Sequence, residues 1–161
     1  HTTSEHSDMA LGLNGEDYYV AVDYQSNSGS VFMIDLETGV RTNLFDTYIS
    51  GTATALHFSG RAFSKPGWVV VSTYGEYGGA RQWLHGKVFA VSLSANPSIK
   101  MLAHTQRVNS SGWSVQDGNY WSEPQASVNR DFTKVIFNSN WNAPASAIEI
   151  YMVQLPQNAL P

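Results

Sequence analysis

Four of the five tryptophans in this 161-residue chain stand in segments that also carry hydrogen-bonding side chains. Aromatic rings stack on the faces of sugar rings, and amides, carboxylates and guanidinium groups hydrogen-bond to sugar hydroxyls. The sequence therefore predicts a carbohydrate-binding surface, with packing between loops as the alternative role for each tryptophan. The predicted ligand-binding residues are Trp83, Trp113, Trp121, Glu123, Arg81, Asn140 and Trp141.

Two histidines are candidates for chemistry, His6 and His85. His6 stands two residues before Asp8, so this pair can supply ligands to a divalent metal, or Asp8 can orient His6 as a base. His85 follows Arg81 in a segment rich in polar and aromatic residues. His57 and His104 are interpreted as structural. No two histidines have the close spacing of a zinc-binding helix, so the identity of any metal stays open.

A six-residue pattern that occurs three times indicates the elements that must position these residues. Each copy reads aliphatic, aromatic, small or Met, aliphatic, polar, Leu. The copies are VFMIDL at 31–36, VFAVSL at 88–93 and IYMVQL at 150–155. A second apolar segment precedes each copy, and a third precedes that one. Three short strands in the same order, repeated three times, favour four-stranded β-propeller blades.

The repeat predicts an all-β fold in which residues 1–161 form part of a propeller. About three blades are expected, the third without its outer strand, at about 6–46, 51–104 and 121–156. Because propellers close with roughly four to eight blades, the chain is expected to belong to a larger propeller of about seven or eight. The remainder is expected from another chain or from a further segment of the same polypeptide. A closed β-sandwich of about 11 strands is the alternative fold.

In a blade, the loop that enters the inner strand and the loop between the second and third strands lie at one face. Most of the candidate residues fall in those loops. The longest segment without strand character, residues 105–120, carries Arg107, Trp113 and Tyr120. Loops of this length in compact domains are usually functional. Replacing Arg107 and Trp113 with Ala is therefore predicted to weaken ligand binding and to leave thermal stability nearly unchanged.

Composition excludes several classes of function. The net charge of -4 argues against a nucleic-acid partner, because phosphate binding requires a basic surface. The absence of cysteine excludes disulfides and thiolate metal sites. No apolar run reaches the roughly 18 residues of a membrane-spanning helix. With 42% hydrophobic and 14% charged residues, the chain is typical of a globular protein.

The third unit contains a motif that can be compared with known repeats. Residues 121–140 read WSEPQASVNRDFTKVIFNSN, and the first unit matches them loosely at Asn14 and Gly15. This motif resembles the repeat of the TolB-like bacterial β-propellers, in which Phe132 stands where a Gly is usual. The resemblance implies a fold that binding proteins and enzymes share. The matching residues are Pro124, Ser127, Asp131, Val135, Ile136, Phe137 and Ser139.

Within that superfamily the layout is similar to the propeller polysaccharide lyases, such as oligogalacturonate lyase and the ulvan lyases. This resemblance implies β-elimination at a uronic acid, with a His or Tyr base, an Arg that neutralises the carboxylate and often a divalent metal. It implies catalytic roles for His85, Arg107, Tyr74 and Tyr120, and metal ligation by His6 and Asp8. His6 can replace His85 as the base, and Arg81 can replace Arg107. The shortage of basic residues counts against a polyuronate substrate.

Two functions are therefore expected. The first is an extracellular or periplasmic propeller segment that binds a polysaccharide, or cleaves it by β-elimination. The second is a non-catalytic propeller that acts as an interaction or assembly module with a partner chain. His, Tyr and Arg side chains within hydrogen-bonding reach at one face would favour the first. A face filled by packed tryptophans, or covered by a partner, would favour the second.

Overall fold

A computed structural model describes residues 6–26, 28–78, 80–107, 120–143 and 147–161. In these ranges eleven strands form three antiparallel sheets of four, four and three strands. Within each sheet, neighbouring strands follow one another in the sequence. In the same ranges no helix is both long and apolar enough to cross a membrane. The predicted all-β class is confirmed, and each sheet has the up-and-down order of a propeller blade. Closure into a ring remains a prediction.

The first sheet contains strands β1 to β4, in that order across the sheet. Alternating apolar residues allow one face to be buried, and turns of Asn, Asp and Gly separate the strands. At the turn before β4, the Asp35 carboxylate accepts hydrogen bonds from the amides of Glu37 and Thr38, and Gly39 takes a positive φ of 72°. The strands are Ser7–Leu11, Asp17–Asp23, Ser30–Asp35 and Arg41–Asp46.

The second sheet contains β5 to β8, again in chain order. Its strand β6 includes three successive valines, Val69, Val70 and Val71, all fully buried. An unbroken apolar run of this kind is typical of a strand that is covered on both faces of its sheet. The strands are Thr52–Ser59, Trp68–Gly78, Lys87–Ser92 and Ile99–His104.

The third sheet contains Ser127–Val128 (β9), Lys134–Ser139 (β10) and Glu149–Gln154 (β11). The sequence predicted an inner strand from residue 121, but a 3-10 turn, Tyr120–Ser122, occupies its beginning. Pro124 has no amide hydrogen for a strand ladder, and Gln125 takes a positive φ of 41°. For these reasons the inner strand of this sheet is only two residues long.

The middle sheet lies between the other two, because two separate apolar clusters use its opposite faces. One cluster joins the first sheet to the middle sheet and includes Val20, Leu56 and Phe89. The other joins the middle sheet to the third sheet and includes Val70 and Phe137. Face-to-face packing of consecutive sheets is how the blades of a propeller are arranged.

The motif of the third unit contains a strained residue at the position where the TolB-like repeat usually has Gly. Phe132 takes a φ of 59°, in the left-handed region that favours glycine. Its side chain is 3% exposed and packs in the cluster between the middle and third sheets. Burial of the ring therefore offsets a backbone cost of about 1–3 kcal/mol.

Candidate functional site

Three aromatic side chains from the first and middle sheets meet next to the inner strands. His6 precedes β1, His57 lies in β5 and Tyr74 lies in β6. His6 Nε2 and the Tyr74 hydroxyl are hydrogen-bonded at 2.9 Å. The His57 ring stacks on Tyr74, with centroids 4.4 Å apart, and meets the His6 ring edge-on at 4.3 Å. We call these three residues the His-Tyr cluster.

A β-bulge places Tyr74 in this cluster. Leu56 pairs with Thr73, but the next residue towards the start of β5, Ala55, pairs with Gly75. Tyr74 is therefore the extra residue of the bulge. Bulges redirect side chains, and they are frequent beside functional sites.

Arg107 satisfies the carbonyl group of the bulged residue. Its Nη1 donates to the Tyr74 carbonyl oxygen at 2.7 Å, and its Nε donates to the Ser122 hydroxyl at 2.9 Å. The Arg107 residue is 7% exposed. The guanidinium group thus connects the bulge of β6 to the 3-10 turn before β9. The prediction that stability is independent of Arg107 is not supported by this placement, because its removal would leave a buried carbonyl without this donor.

Glu123 contacts the cluster through His57. It is 6% exposed, and its Oε2 lies 3.5 Å from His57 Nε2. Among the described residues, His57 Nδ1 is buried without a hydrogen-bond partner. A neutral His57 with its proton on Nε2 directs that proton towards Glu123 and leaves Nδ1 as an unprotonated acceptor.

Burial disfavours charge on both members of this pair. It lowers the pKa of His57 from 6.5 to about 4, with a further contribution from His6. Burial raises the pKa of Glu123, and Arg107 and Gln125 partly oppose that change. At neutral pH the 3.5 Å contact therefore joins a neutral imidazole to the Glu123 carboxyl group and is not an ion pair.

Two cavities open on either side of His6. One, of about 270 Å³, is also lined by Tyr24, Tyr48, Thr54 and Tyr74. The other, of about 280 Å³, is lined by His6 and by His57, Phe58, Tyr120, Gln125 and Ala126. Each is close to the lower end of the roughly 300–1,000 Å³ of small-molecule sites. Each cavity is therefore suited to a ligand of about one ring.

The predicted metal ligands His6 and Asp8 are both hydrogen-bonded to other groups of the protein. The Asp8 carboxylate accepts hydrogen bonds from the amides of Met9 at 2.8 Å and Gly60 at 2.9 Å. His6 Nε2 is bonded to Tyr74. Within the described ranges, no group of three His, Asp or Glu side chains is arranged to hold a metal ion. Asp8 instead connects the first sheet to the middle sheet.

The structure places His85 and Arg81 away from the His-Tyr cluster, in the loop between β6 and β7. His85 is 2% exposed, and both of its ring nitrogens lie within hydrogen-bonding distance of Gln82. Burial lowers the pKa of His85, and Arg81 contributes to the same direction. Neither residue lines the two cavities beside His6. His85 holds the shape of its loop through Gln82, whose side-chain amide also donates to Thr54 in the wall of the first cavity at 3.0 Å.

The three described tryptophans that were predicted to bind ligand pack in three different places. Trp83 contacts Phe45 and Phe89, Trp121 contacts Tyr120, and Trp141 stacks on Tyr151 at 4.5 Å. Trp121 is 72% exposed, and its neighbour Tyr120 lines the second cavity. The side chain of Asn140 is bonded to the Ala143 carbonyl oxygen within its own loop. Trp113 lies outside the described residues.

His57 is the functional candidate that sequence reasoning assigned to the scaffold. Its one signal is its position as a histidine between the apolar residues Leu56 and Phe58 of an inner strand. Tyr24 and Tyr48 were not among the predicted ligand-binding residues, although their rings stack with centroids 6.4 Å apart beside His6. Tyr24 follows β2 and Tyr48 follows β4, and no spacing in the sequence connects them to Tyr74.

Comparison with known proteins adds no assignment to this geometry. No protein-family model matches the chain, and no curated protein or solved structure matches it either. The function is therefore argued from the His-Tyr cluster and its cavities.

Proposed function

We propose that this protein binds a polysaccharide across the His-Tyr cluster, with sugar rings in the two cavities beside His6. The observation that carries this proposal is the 2.9 Å hydrogen bond between His6 and Tyr74 at the boundary of both cavities. The bound chain belongs to the extracellular or periplasmic space, where a protein meets polysaccharides.

The groups that line the cavities favour a sugar over an apolar ligand. Tyr24, Tyr48 and Tyr74 supply ring faces and phenol groups, and Thr54 and Gln125 supply further polar atoms. Such a mixture of ring faces and hydrogen-bonding groups can contact both the apolar face and the hydroxyls of a sugar. Two ring-sized cavities that share His6 favour a chain of linked sugars over a single monosaccharide.

The charges at the site favour an uncharged sugar over a uronate. Arg107 is hydrogen-bonded to Tyr74, but its Nη1 donates to the Tyr74 carbonyl oxygen and its Nε donates to the Ser122 hydroxyl, inside the fold. It is 7% exposed and does not line either cavity. Among the described residues that line the two cavities there is no Lys or Arg, so a uronate carboxylate would lack a cation to neutralise it.

Cleavage by β-elimination is the more specific form of this proposal. The step requires a base that removes the proton beside the uronate carboxylate, while the glycosidic oxygen leaves with a proton and a carbon–carbon double bond forms. His6 and Tyr74 are close enough to act as the base and the acid. The reaction also needs an arginine at the uronate carboxylate, and Arg107 lines neither cavity. The site is therefore better suited to binding than to this reaction.

Titration calorimetry with a panel of neutral and uronate-containing oligosaccharides tests both forms. A neutral oligosaccharide should bind, and His6→Ala, which changes an exposed residue, should weaken binding about tenfold, or about 1.4 kcal/mol. Tyr18→Phe is the matched control for Tyr74→Phe, because Tyr18 lies in β2 and lines neither cavity. Ultraviolet absorbance of an unsaturated uronate would reveal elimination in the same samples.

Absence of binding across the whole panel would contradict the proposal. Binding that survives both His6→Ala and Tyr74→Phe would place the ligand elsewhere. An unsaturated product from a uronate chain would show that the reaction proceeds without an exposed arginine at this site, and neutral sugars would then no longer be favoured.

A second function, as an assembly module, is favoured by one separate observation. The outward face of the third sheet exposes large apolar side chains, including Ile150 at 71%. Contiguous apolar surface of this kind often marks an interface with another protein sheet.

A further inference from the structure

The third sheet has one face packed on the middle sheet and one face open to solvent. On the open face, Ile136 is 45% exposed, Ile150 is 71% exposed and Met152 is 57% exposed. These residues lie on adjacent strands, because Ile136 pairs with Met152 and Asn138 pairs with Ile150. They form one apolar patch on β10 and β11, which we call the open face.

The same positions are buried in the other two sheets. In the first sheet Val20 pairs with Met33, and both pack towards the middle sheet. In the middle sheet Val70 pairs with Ala90, and both pack towards the third sheet. Ile136 and Met152 are the corresponding pair. Met33, Ala90 and Met152 are also the third residue of the six-residue repeat, so the repeat itself encodes a residue that the next sheet covers.

A hydrogen bond accompanies each covered pair. Asp8 lies opposite Val20 and accepts from the Gly60 amide of the next sheet's connection at 2.9 Å. Ser59 lies opposite Val70 and accepts from the Val128 amide at 3.2 Å.

The third sheet repeats this arrangement at Ser127, which lies opposite Ile136. Ser127 lines a cavity of about 230 Å³ together with Ile136 and Met152. The Ser127 hydroxyl therefore occupies the position of Asp8 in the first sheet and Ser59 in the middle sheet. Each of those two residues accepts a hydrogen bond from an amide of the next sheet.

The face of the middle sheet that packs on the first sheet and the face of the third sheet that packs on the middle sheet share a pattern. It is set by the aromatic second residue of the six-residue repeat. Phe89, with Val71 beside it, covers the first sheet, and Tyr151, with Phe137 beside it, packs against the middle sheet. Each aromatic residue is followed two positions later by an aliphatic one, Val91 or Val153.

The outer face of the first sheet carries the same arrangement. Phe32 lies beside Ala21, and Ile34 follows two positions later, beside Tyr19. These residues face away from the cluster that joins the first sheet to the middle sheet. The open face of the third sheet thus has the pattern of faces that a following sheet covers. The outer face of the first sheet has the pattern of faces that cover a preceding sheet.

We propose that the first sheet of a second copy of this chain covers the open face of the third sheet. By correspondence with Gly60 and Val128, the amide of Met9 in the second copy donates to Ser127. Two copies with three sheets each would make six sheets, within the roughly four to eight that close a propeller.

Existing contacts of the first sheet must change for this contact to form, because Ala21 is fully buried, Phe32 is 2% exposed and the Met9 amide already donates within its own chain at 2.8 Å. The Arg41 guanidinium lies 4.0 Å from the Phe32 ring centroid and pairs with Asp23 at 3.2 Å. The Arg41 side chain is 40% exposed, and ion pairs at such positions contribute little to stability. Arg41 therefore contributes to the cover over Phe32, and loss of its ion pair with Asp23 costs little.

Sedimentation velocity over a range of protein concentrations tests the contact. The wild-type protein should sediment as a dimer, and Met152→Lys should weaken dimerisation by at least tenfold. Met101→Lys is the matched control, because Met101 is also on a strand and is 51% exposed, but it lies in β8 of the middle sheet. A wild-type monomer at every concentration would overturn the proposal, as would equal effects of the two substitutions.

Cysteine crosslinking tests which faces meet, since the chain contains no cysteine of its own. A Ser127→Cys variant mixed with a Met9→Cys variant should form a disulfide-linked pair of the two different chains. Neither variant should form a linked pair alone. Crosslinking of Ser127→Cys with itself, or no crosslink in the mixture, would show that the third sheet is not covered by the first sheet of another copy. Neither result depends on whether a polysaccharide binds at His6.

Discussion

Leu56 and His57 are neighbours in β5, but the Leu56 side chain makes apolar contacts and the His57 side chain lies among polar groups. Leu56 is fully buried in the apolar cluster between the first and middle sheets, with Val71 and Phe89. His57 points to the other face of the strand, where it meets Tyr74, His6 and Glu123. The strand is the same, and only the face differs.

The two contacts are held by forces with different requirements. The apolar contact depends on buried area and close packing, which many aliphatic residues can supply. The polar contact requires each donor and acceptor to find a partner, because an unpaired buried polar group costs about 1–3 kcal/mol. We therefore expect substitutions on the Leu56 face to act through volume, and substitutions on the His57 face to act through charge and hydrogen bonding.

The largest effect is expected at Leu56. Leu56→Ala should lower the free energy of unfolding by about 2–5 kcal/mol, because it removes a fully buried side chain and leaves a cavity. The loss should not depend on pH between neutral and mildly acidic conditions. Urea denaturation at two pH values measures both features. Leu13→Ala, at a position that is 74% exposed, is the control and should change little.

The next effect concerns pH and should appear only on the polar face. Because burial lowers the pKa of His57 from 6.5 to about 4, the unfolded chain binds its proton first as the pH falls. Stability should therefore decrease between about pH 6.5 and pH 4, by up to about 3 kcal/mol at about 1.4 kcal/mol per pKa unit. The raised pKa of Glu123 acts in the opposite direction above its usual value of 4.5 and reduces the net change.

The variant His57→Gln should remove most of this slope. Its denaturation midpoints, measured from pH 7 to pH 4, should fall less steeply than those of the wild type. His85 also has a lowered pKa, so His85→Gln serves as the comparison and should remove a separate contribution of the same sign. Identical slopes in the wild type and His57→Gln would mean that His57 is not held neutral by burial.

An intermediate effect is expected at Arg107, where the polar face joins the scaffold. Arg107→Met keeps much of the side-chain volume and removes the donors to Tyr74 and Ser122. The free energy of unfolding should fall by about 1.5–3 kcal/mol, the range for hydrogen bonds from charged groups. Arg41→Met removes an ion pair whose Arg is 40% exposed, and it should cost less than about 1 kcal/mol. Equal losses in the two variants would contradict the structural role of Arg107.

Much of the fold follows from the sequence, because apolar contacts follow a period. The six-residue repeat predicted β3, β7 and β11, and the alternation of apolar residues predicted that faces of sheets would be buried. The prediction failed for the inner strand of the third unit, where Pro124 and the positive φ of Gln125 shorten it.

The candidate site was only partly predictable, for a reason that the β6 bulge makes clear. Tyr74 reaches His6 because one extra residue interrupts the pairing of β5 and β6. Gly75 is a sequence sign of such a bulge, but it does not tell which side chain the bulge redirects or what that side chain meets. Arg107 was predicted from its type and its loop, but its donation to the bulge carbonyl depends on the same irregularity. Periodic patterns predict layers, whereas a single shift in register decides which polar groups meet.

The smallest effect is expected for the hydrogen bond between His6 and Tyr74. Tyr74→Phe keeps the ring stacked on His57, and it keeps the backbone carbonyl that accepts from Arg107. Only the phenol group that meets His6 is lost, and His6 is exposed. The free energy of unfolding should therefore fall by about 0.5–1 kcal/mol, towards the lower end of the range for one hydrogen bond.

A double-mutant cycle with His6→Ala isolates this bond. If the two side chains interact mainly with each other, the double variant should be more stable than the sum of the single losses predicts, by about 0.5–1 kcal/mol. Tyr18→Phe with His6→Ala gives the control cycle, in which the coupling should be near zero. Zero coupling in the Tyr74 cycle would mean that ring packing alone holds His6. His6 would then be held by packing, as Leu56 is, and not by hydrogen bonding.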